Sequence, residues 1–295
     1  NSKPLLSSWL RHIKPLPPGI IFGTDLKRNV FPWTTFALIV ANVFLFFTAS
    51  EETIKAGVFL PYGNPSPVHI FISFFTCTFL HADIYHLAGN MLFFWVFGSA
   101  VEPRVGSLRF LTVYFFCILF SGAFSVALLI LKAIFSDSAF DIRDYHSLGA
   151  SGVISGVMGI FVIRCYFARI RVTIPFLFLP FFSLPLRVQG TLLTGLFFAL
   201  DVAGSATQFR TDSKVDYWAH VGGYIGGFIV GYLMKLHRDA SREAIEVKAE
   251  ALSLKKLRKK DATKLYEDIL NRDPENEIEI RYFLELHRYN QAKRE

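Results

Sequence analysis

The sequence predicts an all-α membrane protein, a bundle of six transmembrane helices with a short helical tail, and three observations predict it. Hydrophobic residues fill 52% of the 295 positions, and 32 of them are Phe. Charged residues make up only 19%, where an ordinary soluble domain carries about 25%. Apolar stretches long enough to cross roughly 30 Å of hydrocarbon recur at 31–49, 84–101, 108–131, 149–166, 190–207 and 216–236. The surplus of large apolar side chains excludes disorder, and three far-separated cysteines, Cys77, Cys117 and Cys165, exclude a disulfide scaffold.

Residues 1–30 lack the charged region, apolar region and cleavage site of a signal peptide, so 31–49 is expected to remain as the first anchor, with 1–30 cytoplasmic. Two further segments are read as interfacial rather than spanning. One is 58–80, with Pro61, Pro65, Pro67 and the run Phe71, Phe74, Phe75 and Phe79; the other is 173–188, with Pro175, Pro180 and Pro185. Each proline removes a backbone donor and clashes with the preceding turn. With six spans and the N-terminus inside, 13 Lys/Arg outside the tail fall on the inner side and 5 on the outer side, as the positive-inside rule requires. That asymmetry accounts for the net charge of +7 and removes the reason to invoke nucleic acid. The expected location is a bacterial inner (plasma) membrane, with both termini cytoplasmic.

The six-helix unit is expected at 31–238 and a water-soluble tail at 239–295, where 13 Lys/Arg meet 13 Asp/Glu without an apolar run. Ala262, Leu265, Tyr266, Ile269 and Leu270 recur at helical spacing, followed by Ile278, Ile280, Phe283 and Leu284. The segment DATKLYEDILNRDPEN resembles the second half of a tetratricopeptide unit, and one unit cannot build a solenoid. The tail is read either as solvated helix or as a docking segment for a cytoplasmic protein.

Polar side chains inside a span cost about 2.5–3.5 kcal/mol each and so mark function by default. His81, His86 and Asn90 go with the second span, Ser151 with the fourth and His220 with the sixth. Spans two, four and six run in the same direction, and His86, Asn90, Ser151 and His220 fall within about two turns of their starts. They therefore share one depth, in the outer third of the bilayer. Ser151 stands among Gly149, Ala150 and Gly152 at a helix start, where free N–H groups and the helix dipole favour a developing oxyanion. His220 is the candidate base, and Asn90 and His86 supply side-chain donors. Gly152, Gly156 and Gly159 on one helix and Gly222, Gly223, Gly226, Gly227 and Gly231 on the other form small faces that let helices four and six approach. Asp216 and Asp201 are stray carboxylates that could orient the base, and a Ser/His dyad is the preferred reading. Tyr224 either holds the His220 ring or anchors at the interface.

Four segments in order, HLAGN at 86–90, GSAVEPRVG at 98–106, GASGVISGVMG at 149–159 and AHVGGYIGG at 219–227, resemble the rhomboid intramembrane serine proteases. The resemblance covers roughly 31–238. It implies a Ser151–His220 dyad, with His86 and Asn90 lining the oxyanion hole, and a structural role for Gly98, Glu102 and Gly106. Where some relatives carry an aromatic residue stacked on the histidine, this chain has Ser155. The implied activity is cleavage of transmembrane or juxtamembrane segments of other membrane proteins through an acyl-enzyme, without cofactor or metal, with the lipid bilayer as a second partner. Segment 51–80 would be a membrane-dipping first loop, and span five, with Phe197 and Phe198, would form a lateral gate with it. Two rivals stand beside this expectation: a catalytically inactive relative that binds membrane clients, and a transporter using the polar residues as a path.

Overall fold

The computed structural model describes residues 21–26, 30–59, 66–135, 145–176, 179–210, 213 and 215–254. Its elements are β1 (Ile21–Thr24), α1 (Trp33–Thr48), α2 (Glu51–Gly57), α3 (Pro67–Thr76) with a 3-10 turn at Cys77–Phe79, α4 (Ile84–Val105), α5 (Ser107–Phe135) and α6 (Ser151–Arg164). After these come β2 (Arg169–Phe176), β3 (Leu179–Gln189), α7 (Gly190–Gln208), α8 (Tyr217–Leu233) and α9 (Leu236–Leu254). Each of the six expected spans is a helix. Three of them, α4, α5 and α7, are long and apolar enough by themselves to cross a membrane; α1 and α6 are shorter apolar helices of 16 and 14 residues, and α8 has 17.

Helix boundaries follow the capping residues. Asp83 accepts from Tyr85 N and His86 N and starts α4 (2.8 and 2.9 Å), and Gly106 ends it at φ +88°, where a side chain would be strained. Ser50, Ser66 and Asp216 cap α2, α3 and α8 in the same manner.

α1 borrows its cap from another helix. Glu102, 1% exposed on α4, accepts from Thr34 N (2.8 Å) and Thr35 N (2.7 Å), from Thr35 Oγ1 (2.7 Å) and from Ser107 Oγ (2.7 Å). A Cβ on Gly98 would come within 2.8 Å of Thr35 Cγ2, so that glycine makes the approach of α1 feasible. The segment around Glu102 is therefore a structural clamp. Glu102→Ala orphans several buried donors at once and is expected to cost on the order of 3 kcal/mol or more; an unchanged melting temperature in detergent would contradict it.

The expectation of an all-α chain is corrected by a three-stranded antiparallel sheet of order β1-β2-β3. Ile170 pairs with Val188 and Arg171 with Arg187, while Thr24 pairs with Ile170. Residues 173–176 and 179–188 are thus extended rather than helical. Pro180 and Pro185 fall on β3, at the sheet edge, where a missing N–H is tolerated. The N-terminal segment contributes β1 to this sheet.

The core centres on α6, which buries all but two of its 14 residues and packs against α4, α5 and α8. On α7, by contrast, only Gly190, Thr194 and Gln208 are buried. Beyond this body, residues 238–295 form a separate unit. Its described part, 238–254, belongs to helix α9, and the tetratricopeptide-like stretch lies outside the described residues.

Candidate active site

Two helices approach closely at the site because glycines line their contact. A Cβ on Gly223 would fall on the Gly152 carbonyl oxygen, and one on Gly227 on the Gly156 carbonyl oxygen. A Cβ on Gly159 would lie 2.5 Å from Tyr224 O. The small faces read from the sequence are therefore a backbone-to-backbone contact between α6 and α8. Ser121 Oγ of α5 donates to Ala219 O (2.8 Å) and fixes the start of α8 from a third side.

Across that contact, Ser151 Oγ and His220 Nε2 are 2.7 Å apart. They are 69 residues apart in sequence, and the spacing is a full hydrogen bond with no room for an intervening atom. The other ring nitrogen, Nδ1, lies 3.0 Å from Asp201 Oδ1 on α7. Of the two carboxylates left open by the sequence, Asp216 is committed elsewhere: it caps α8 through Ala219 N (3.0 Å) and accepts from Ser125 Oγ (3.0 and 2.9 Å). Tyr217 sets its ring nearly perpendicular to His220 at 6.1 Å, a neighbour that the sequence did not single out. Tyr224 points away from this role, since it is buried, donates to Met158 Sδ (3.6 Å) and packs edge-on against Phe198.

Ser151 is the first residue of α6, and no side chain caps that helix, so its leading N–H groups keep their dipole unspent. Gly149, two residues earlier, holds φ +123°, and its N–H donates to Cys77 O (2.9 Å). A Cβ there would come within 2.8 Å of His86 Cε1 and 3.5 Å of Asn90 Nδ2. His86 and Asn90 thus line the backbone leading into the serine; neither has a hydrogen bond to Ser151 among the described residues. Asn90 Nδ2 is buried and has no partner, an unspent donor of the kind a developing anion would use. His81 is buried behind His86, the two rings 5.2 Å apart. Beside Ser151 a cavity of about 40 Å³, reached also by Ser121, Ser147 and Asp216, has room for a few waters. Among the described residues no group of three or more His, Cys, Asp or Glu could hold a metal ion.

A hydroxyl hydrogen-bonded to an imidazole at the uncapped end of a buried helix has the geometry in which an imidazole can take a hydroxyl proton, here within an apolar helical bundle. The rhomboid domain family model matches residues 69–237, more than half of the chain, and the chain belongs to the rhomboid family. It is 26% identical over 227 residues to the mitochondrial presenilin-associated rhomboid-like protein of Bos taurus, covering 74% of this chain and 54% of that one. The Homo sapiens counterpart is 25% identical, with 74% and 53% covered. A bacterial relative, the rhomboid protease GlpG of Klebsiella pneumoniae, is 27% identical over 103 residues, with 34% and 37% covered. The chain spans about half the length of the mitochondrial relatives it matches.

Proposed function

We propose that this chain is an intramembrane serine endopeptidase that cleaves transmembrane or juxtamembrane segments of other membrane proteins. The observation that carries the reading is the 2.7 Å contact of Ser151 Oγ with His220 Nε2 inside a family whose relatives include a protease by name. In this mechanism His220 takes the Ser151 proton as Oγ adds to the scissile carbonyl carbon. The resulting oxyanion is met by the Ser151 N–H, by Asn90 Nδ2 and by His86. The imidazolium then returns its proton to the leaving amine, which leaves an acyl-enzyme. Water entering beside Ser151 reverses the sequence and releases the new carboxylate.

Six helices cross the bilayer in this reading, in a bacterial or a mitochondrial membrane alike. The 14 residues of α6 rise only about 21 Å, so its first residue sits recessed below one membrane face, where water reaches it. Substrate segments enter beside α7 and unwind locally before cleavage, because a helical carbonyl is already hydrogen-bonded.

The test is labelling of the detergent-solubilised chain with a fluorophosphonate, which phosphonylates an activated serine. Wild type is expected to label and Ser151→Ala not to. Equal signals would remove the protease and leave an inactive relative that binds membrane clients.

A further inference from the structure

The proposed reaction uses Ser151 and His220, which leaves an ionisable side chain on α7 unexplained. α7 is the least buried of the long apolar helices, with only Gly190, Thr194 and Gln208 buried. A carboxylate in such a helix is costly to insert into a bilayer. Asp201 nevertheless stands there with a side chain only 16% exposed, against a His220 side chain 14% exposed. Among the described residues its hydrogen bond is to His220 Nδ1, so nothing in the packing of α7 itself accounts for it.

We propose that Asp201 is the positioning residue of His220, a carboxylate that extends the Ser151–His220 pair to a triad. This rests on the protease reading and deepens it. By accepting the Nδ1 proton, Asp201 fixes the tautomer that leaves the Nε2 lone pair facing Ser151 Oγ, and it stabilises the imidazolium formed when the serine proton arrives. Asp201 itself keeps its charge throughout.

The placement also sets a condition on the site. Ser151 and His220 sit on helices locked together by backbone contact, whereas α7 is separated from α6 and α8 by an apolar cavity of about 370 Å³ lined by Thr194, Phe198, Tyr224 and Phe228. Phe198 and Tyr224, one turn from Asp201 and His220, meet edge-on at 5.3 Å. The base is therefore oriented only while α7 is seated on α8 at this level.

The experiment uses the full chain in detergent, comparing wild type, Ser151→Ala, Asp201→Asn, Asp201→Ser and Asp201→Glu. The readouts are fluorophosphonate inactivation, resolved into the maximal rate and the half-saturating concentration, and the low-field Nδ1–H proton of 15N-histidine-labelled protein. Asp201→Asn is expected to lower the maximal rate by about 10²–10⁴-fold with the half-saturating concentration unchanged. Asp201→Glu is expected to recover part of the rate, and the low-field proton to survive in Ser151→Ala and vanish in Asp201→Asn. Asp201→Ser stands in if the Asn variant does not fold. A folded Asp201→Asn labelling as fast as wild type, with Ser151→Ala silent, would overturn Asp201 and leave the protease reading intact. A wild type as silent as Ser151→Ala would overturn both.

Discussion

Ser151→Ala, His220→Ala and the double variant are expected to leave the same residual cleavage of a transmembrane segment reconstituted in liposomes, each down by on the order of 10⁶-fold. The two side chains act as one device. Without His220, Oγ stays a neutral hydroxyl of ordinary basicity; without Oγ, the imidazole has nothing to deprotonate. The second loss therefore has nothing left to remove. What survives in all three is binding and whatever Asn90, His86 and the start of α6 contribute to the oxyanion. Single-turnover cleavage separates the outcomes. Losses that multiply in the double variant would mean that the two groups act at different steps, and the 2.7 Å contact would then be incidental to the chemistry.

Gly227→Leu is expected to be the most damaging change outside the site. The new side chain would occupy the Gly156 backbone, and a backbone inside a helix cannot yield as a side-chain tip can. Overpacking in cores costs about 1–3 kcal/mol where neighbours shift; here α6 and α8 must separate, and the contact of Ser151 with His220 goes with them. Gly195→Ala on α7 is the control, since a Cβ there meets nothing within 4 Å; removing a helical glycine should leave stability unchanged or raise it by about 0.5–1 kcal/mol. Thermal unfolding in detergent with fluorophosphonate labelling reads both. A Gly227→Leu variant that melts and labels as wild type does would refute the close approach of the two helices.

Hydropathy located the helices well because a lipid-facing segment must be apolar over its whole length, a signal that needs no partner. α4 runs from Ile84 to Val105 and α7 from Gly190 to Gln208, against expectations of 84–101 and 190–207. The site was legible for the opposite reason: Ser151, His220, His86 and Asn90 are polar where polarity is costly. The sheet was not legible, because Ile170, Val172 and Ile174 of β2 and Leu184, Leu186 and Val188 of β3 read as one apolar run interrupted by prolines, without a clean polar alternation. The choice between Asp201 and Asp216 depended on which helix turns toward His220. A partial signal was present, since Asp216 stands three residues before the Ala219 N–H it caps, in the position an N-cap takes. That spends Asp216 and leaves Asp201.

Among the described residues α7 is tied by hydrogen bonds at its two extremities, and between them by the Asp201 contact with His220 Nδ1. At its foot, Gly190 N donates to Ala168 O (2.9 Å). At its head, Lys132 Nζ donates to Gln208 O (3.0 Å) and Trp218 Nε1 to Ser205 O (3.1 Å). A rod pinned at both tips flexes at its waist instead of swinging like a door, and the waist of this one carries Phe198 and Asp201. An arriving polypeptide that bows it outward would, in the same stroke, draw the aspartate off the imidazole, so that admission and ignition alternate rather than coincide.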